Sequence, residues 1–172
     1  ENNKIKNLNI INNKSIHSGS IAQVFKGTYN NIKVAVKIRH PYIKENITKD
    51  LYSLFYVINI LKYIPIIKNY ISMLDLDNFS DDVLTQTDFI KEANNLQTFK
   101  KKFKNCKNII IPDCHYFSDD IIIMTWVDGK KYTDFISSYP EHKEEILHLL
   151  FCFWIKMIKY EHIIHGDIHP GN

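Results

Sequence analysis

Two short runs near the N-terminus carry strand patterning. Ile21–Tyr29 (IAQVFKGTY) and Lys33–Arg39 (KVAVKIR) are rich in β-branched and aromatic residues. Asn30-Asn31 between them is hairpin chemistry, because asparagine tolerates positive φ. His40-Pro41 closes the second run, and helical patterning follows from about Ile43 to Tyr63. The stretch Leu51–Leu74 is apolar but interrupted by Lys62, Pro65, Lys68 and Asn69. A span needs about 20 uninterrupted apolar residues, so two helices broken near Pro65 are expected rather than a transmembrane segment. A peripheral membrane contact stays open.

Further along, Leu76, Phe79, Val83, Ile90, Ala93, Leu96, Phe99 and Phe103 recur at helical spacing, which predicts one long amphipathic helix over 76–103. Ser80, Asp81 and Asp82 are candidates to cap its first turn. Ile109–Phe117 and Ile121–Val127 read as a second hairpin around Ser118-Asp119-Asp120. Tyr132–Ser138 reads as a short helix, and Pro140 starts another. Ile146–Tyr160 (ILHLLFCFWIKMIKY) is apolar on nearly all sides, which predicts a buried helix. A β-like turn at His162–His165 leads into a polar terminal loop. The order describes an α+β chain: a small sheet-plus-helix lobe over about 16–127 with a helical insertion, then the start of a helical lobe over 128–172.

Composition narrows the function. The 172 residues include 22 Lys plus Arg and 19 Asp plus Glu, a net charge of +3, which is too mild to suggest nucleic-acid binding. Cys106, Cys114 and Cys152 have no metal-type spacing and one is left over, so a reducing, intracellular compartment fits. Residues 1–13 show no signal-peptide pattern, and the chain neither starts with Met nor ends outside a motif, so it reads as a segment.

The chemistry is concentrated at the end. His165-x-Asp167-x-x-x-x-Asn172 has the spacing of a kinase catalytic loop, in which the aspartate takes or orients the acceptor proton and the asparagine binds Mg²⁺. Phosphoryl transfer requires a carboxylate facing the acceptor and an oxygen donor holding the metal, which Asp167 and Asn172 supply. A rival reading makes His162, His165, Asp167 and His169 a Zn²⁺ or Fe²⁺ site. Upstream, Val34-Ala35-Val36-Lys37 matches the strand that carries the ATP-pairing lysine. Alternation puts Ala35 and Lys37 on one face and Val34 and Val36 on the other. A small Ala35 leaves room for a flat base. Glu92 is the candidate partner for Lys37, with Asp88 one turn earlier. The phosphate-facing loop is His17–Val24, where Ser18, Gly19 and Ser20 are the candidate contacts and Gly19 is its only glycine. Met124, Trp126 and Val127 sit where the lobes would join, with backbone suited to an adenine.

These motifs together resemble UbiB-like atypical kinases, a family associated with ubiquinone biosynthesis. The residues that carry the resemblance are Ser20-Ile21-Ala22-Gln23-Val24, Val34–Lys37 with His40-Pro41, Asp88-Phe89 with Glu92-Ala93-Asn94, Met124 with Trp126–Gly129, and His165–Asn172. The resemblance implies a protein-kinase-like fold, ATP with Mg²⁺, and an ATPase or small-molecule kinase activity on a lipid or small acceptor. It also implies organellar or membrane-associated sites. It makes Lys37 the phosphate contact, Glu92 its holder, Asp167 the catalytic acid/base and Asn172 a metal ligand. A kinase of the aminoglycoside or choline type and a non-catalytic nucleotide-binding scaffold are the alternatives. Two features depart from the family: the loop before Ser20 is His17-Ser18-Gly19 rather than alanine-rich, and Gln86-Thr87-Asp88 keeps only the second acid of Glu-x-Asp. The Lys-x-Gly-Gln and Asp-Phe-Gly elements are not in this chain, so alone it is expected to turn over little ATP.

Overall fold

The computed structural model describes residues 5–11, 14–71, 73–166 and 168. The chain divides into two compact units, Glu1–Lys100 with Pro112–Trp126, and Lys101–Ile111 with Val127–Asn172.

The first unit is built on one hairpin. β3 (Ala22–Tyr29) and β4 (Ile32–Arg39) pair antiparallel from Ala22↔Arg39 to Tyr29↔Ile32. Asn30 and Asn31 both adopt positive φ (48° and 66°), the two-residue turn whose twist matches that of the strands. β6 (Ile121–Thr125) pairs with β4, and β5 (Cys114–Phe117) pairs with β6. Two strands that the hydrophobic pattern did not announce complete the sheet. β1 (Leu8–Ile10) and β2 (His17–Ser18) both pair with β3, giving the order β1-β3-β4-β6-β5 with β2 beside β3. Both are too short, at three and two residues, for alternation to be a signal.

Strand alternation divides the core in two. Val34, Val36 and Ile123 are fully buried on one face, packed by Leu8, Phe25, Tyr29 and Ile38. Ala22 and Ile122 are buried on the other, under Phe89 and Ala93 of a helix. Each valine buried here contributes about 1.5–3 kcal/mol relative to exposure.

The helices depart from expectation in one respect that matters for function. α1 (Ile43–Leu61) and α2 (Pro65–Ile71) form as anticipated, separated before Pro65, and among the described residues no helix is long and apolar enough to cross a membrane. The single helix expected over 76–103 is instead two, α3 (Leu76–Thr85) and α4 (Phe89–Lys102). The ladder tightens at the join: the Thr87 N–H and hydroxyl both donate to the Leu84 carbonyl, at 3.0 and 2.7 Å, and the Asp88 N–H to Thr85. Asp88 then restarts the helix by accepting from the Lys91 N–H at 2.8 Å. Val83 and Ile90 lie seven positions apart, so the apolar period runs through the break and hides it. The cap of α3 is Asp75, which accepts from the Asn78 N–H; Ser80 instead donates back to the Leu76 carbonyl.

Three further corrections follow. Ile109–Asp113 is not strand, because Pro112 has no N–H for a ladder. His162–His165 is not β-like; His162 is left-handed (φ 54°) and the Ile163 N–H donates to Met157. The helix expected to be buried, α6 (Lys143–Ile155), which continues as a π-helical turn over Lys156–Glu161, is largely wet. Phe151 is 60% exposed and Trp154 48%; between Ile146 and Tyr160 only Met157 is fully buried. In this second unit α6 follows α5 (Tyr132–Ser138) and a 3₁₀ turn at Pro140–His142. Its inward face packs Phe153 edge-on against Phe103, with ring centroids 5.1 Å apart.

One close approach is testable. A Cβ at Gly27 would lie 2.7 Å from the Asn9 carbonyl oxygen of β1, whereas one at Gly129 would meet nothing within 4 Å. Gly27→Ala is therefore expected to lower stability by about 1–3 kcal/mol and Gly129→Ala by less than ~0.5 kcal/mol. Thermal melts of the two variants side by side check this; equal melting temperatures would show that β1 simply moves aside.

Candidate functional site

Antiparallel partners share a face, so the β3–β4–β6 register assembles a defined surface. Ala35 faces Lys26 on one side and Met124 on the other; Lys37 faces Val24 and Ile122. These side chains lie on the face covered at one end by Phe89 and Ala93 of α4. The alternation anticipated for Val34–Lys37 is present: the valines are buried and Ala35 and Lys37 remain partly open.

At the edge of that face stands a bidentate ion pair. Lys37 Nζ donates to both oxygens of Glu92, at 2.6 and 2.7 Å, across 55 positions of sequence. Lys37 is 26% exposed and Glu92 39%, so the pair is shielded but reachable. Phe89 lies beneath the ammonium, 5.0 Å from ring centroid to Nζ. An ammonium has three donors, and two are engaged here, which leaves one for an anion. Asp88, one turn before Glu92, is engaged as the helix cap rather than as part of this pair.

The segment Ser18–Ile21 forms the turn between β2 and β3. Ser18 pairs with Gln23, and Ser18, Gly19 and Ser20 are exposed. The glycine does not present its amide outward: the Gly19 N–H donates to the Ala22 carbonyl at 2.9 Å, and a Cβ there would meet only an ordinary contact at 3.8 Å. Unforeseen from sequence, His40 staples this turn. Its N–H donates to the Ile21 carbonyl at 2.9 Å and its ring Nε2 to the Gly19 carbonyl at 3.0 Å.

In the stretch Met124–Val127 the backbone is more engaged than the sequence indicated. The Thr125 N–H donates to Asp113 and the Trp126 N–H to Lys33, so neither is open to a purine. Met124 packs on the Ala22–Phe89 cluster, and Lys26 Nζ lies 4.3 Å above the Trp126 ring. Beside Met124 in the same cluster, burial pushes the Cys114 thiol up, against the opposing effect of its hydrogen bond with the Tyr116 backbone. Val127 belongs to the second unit and is exposed.

In that second unit a cluster of charges precedes the terminal loop. Lys156 Nζ donates to Glu161 Oε1 at 2.9 Å, Lys102 Nζ donates to the Glu161 carbonyl at 2.6 Å, and Lys156 lies 5.6 Å from the Phe103 ring centroid. Beyond it, Asp167 and Asn172, the expected acid/base and metal ligand, lie outside the described residues, as does His169. Gly166 has φ 80°, a left-handed position that suits glycine. Among the described residues no group of three or more His, Cys, Asp or Glu is placed to hold a metal.

The fold, α+β with an antiparallel sheet and an ion pair joining strand to helix, is kinase-like. Residues 3–172 match the ABC1 atypical kinase-like domain, and the chain belongs to that family. This agrees with the resemblance read from the motifs. Among curated proteins it is 30% identical over 158 residues to the probable serine/threonine-protein kinase abkC of Dictyostelium discoideum, covering 90% of this chain and 23% of that protein. It is 27% identical over 188 residues to a mitochondrial ABC1 family protein of Saccharomyces cerevisiae, covering 94% of this chain and 28% of that one. The chain thus spans about a quarter of the length of these relatives. Among solved structures, a Mycobacterium tuberculosis protein in complex with erythromycin aligns over 96% of this chain and 42% of its own. The TM-score is 0.73 at 22% identity, which shows a shared fold.

The charge cluster sets a pH expectation. The hydrogen bond from Lys156, helped by the charges of Lys156 and Lys102, holds the Glu161 carboxyl below its ordinary value against the opposing effect of burial. A carboxyl lowered in the folded state stabilises fully above its unfolded pKa, near 4.5, and that contribution disappears as pH falls through the lower folded value. Glu161→Gln should therefore reduce the melting temperature at pH 7 and converge with the parent as pH falls through the lowered folded value. A gap that persists unchanged into acid would mean the carboxylate charge is not the cause.

Proposed function

We propose that this domain binds ATP with Mg²⁺ and acts as a phosphotransferase or ATPase. The observation that carries this reading is the bidentate Lys37–Glu92 pair. Glu92 fixes the ammonium at the edge of the sheet face, and the remaining donor is aimed at α- and β-phosphate oxygens. The Ser18–Gly19–Ser20 turn, held by His40, closes over the phosphates, with the serine hydroxyls supplying donors in place of the glycine amide. Ala35 leaves room for the base against Met124. The Thr125 and Trp126 amides are engaged within the sheet, so neither serves as the donor to adenine. Trp126 then forms the lip, backed by Lys26.

In this reading Asp167 orients the acceptor hydroxyl or water and receives its proton, and Asn172 is one of the oxygen ligands to Mg²⁺. The Lys37 ammonium would hold phosphate oxygens and not the metal, having donors and no lone pair; Mg²⁺ would rest on Asn172 and on the phosphates themselves. The metal, when bound, would neutralise phosphate charge. The acceptor is a lipid or other small molecule rather than a protein, and an organellar site follows from the mitochondrial yeast relative. A peripheral bilayer contact is proposed for α1 and α2. Tyr52, Tyr56, Tyr63 and Tyr70 are each at least 70% exposed there, and from Leu51 to Ile71 the only formal charges are Lys62 and Lys68.

The test is Mg-ATP turnover in the full-length protein. Lys37→Ala and Asp167→Ala should each lower it by about 10²-fold or more, the scale for removing a group aimed at transition-state charge. If both variants hydrolyse or transfer at the parental rate, the reading is wrong.

A further inference from the structure

Lys37 is not the only link between β4 and α4. Two positions further along the same strand, on the same face, Arg39 makes a second one. Its Nη1 donates to the Thr87 carbonyl at 3.2 Å, and its Nη2 donates to Asp120 Oδ1 at 2.6 Å. Its own N–H donates to the Asp120 carbonyl at 2.9 Å. Thr87 is 1% exposed, the one buried polar residue among those described, and its hydroxyl is already engaged with Leu84. Its carbonyl sits at the break between α3 and α4, one residue before the capping Asp88 and five before Glu92.

We propose that Arg39 is a positioning residue that sets where α4 begins, and through α4 sets Glu92 against Lys37. The geometry is that of two rungs between one strand and one helix start. A guanidinium holds the helix start at Thr87, and an ammonium meets the helix at Glu92. Asp120, at the β5–β6 turn, fixes the other arm of the guanidinium. A planar fork can bridge two acceptors in a way that a single point charge cannot. α4 is thereby docked from within the first unit, with no modified side chain required. The functional weight of the clamp rests on the reading that the Lys37–Glu92 pair holds ATP phosphates; the clamp itself does not.

The test reads Lys37 directly. In the full chain, acetic anhydride labelling of Lys37 is quantified by mass spectrometry, with exposed Lys33 on the same strand as internal reference. Arg39→Ala is expected to raise Lys37 labelling relative to Lys33 by about two- to fivefold, the range for loosening a partly exposed ion pair. Asp120→Asn should raise it in the same direction by less. Glu92→Ala gives the upper limit, and adding Arg39→Ala to it should add nothing, as expected if both act on one pair. Asp120 is 75% exposed at a turn, so its variant decides the matter if Arg39→Ala does not fold. Unchanged Lys37 labelling in the folded variants, or additive effects in the double variant, would overturn the clamp. Mg-ATP binding measured in parallel separates the two ideas. Increased labelling with no nucleotide binding in the parent keeps the clamp and removes the functional reading. Lost binding with unchanged labelling does the reverse.

Discussion

The register between β3 and β4 governs everything else in the first unit. It is set by a two-residue turn in which Asn30 and Asn31 both take positive φ. Slip that pairing by one position and Val34 and Val36 would turn to the open face while Ala35 and Lys37 entered the core. The valines would lose their packing, and a lysine would be buried without Glu92. The burial energy of one face thus enforces the chemistry of the other. The asparagine side chain adds a local lock, since Asn7 donates to the Asn30 side chain at 2.8 Å and so ties β1 to the same turn.

Much of this was readable from residue order because its signals are local. Asn-Asn between β-branched runs, the Val-Ala-Val-Lys alternation and the Pro65 break each rest on a few adjacent residues, and the structure follows them. The helix break at Gln86–Asp88 was masked because an apolar spacing of seven spans it, and the arginine that reaches the Thr87 carbonyl there lies 48 positions away. The His40 staple was likewise invisible. His40-Pro41 looked like a strand end, and only the fold brings that ring to Gly19. The misjudged burial of α6 has a different origin: apolar composition reports what a helix is suited to cover, not what lies beside it.

The Ser18–Ser20 turn of the candidate site is tied down by hydrogen bonds of its own. A glycine-rich loop gains access to phosphates through mobile backbone, whereas here the Gly19 amide is engaged and the turn is tied to His40. Arg39 and His40 are neighbours. One points to the helix that carries Glu92 and the other to the turn that carries Ser18 and Ser20. The end of β4 therefore references the Lys37–Glu92 pair and the Ser18–Ser20 turn to a single strand.

The wet face of α6 has a thermodynamic consequence. The heat-capacity change of unfolding and the denaturant m-value both scale with surface newly exposed to water. With Phe151 and Trp154 about half exposed already, unfolding this segment adds little apolar area there. The second unit therefore opens with a shallower temperature and denaturant response than its apolar composition would indicate. A steep transition would belong to the sheet, where Val34, Val36 and Ile123 pass from full burial to water.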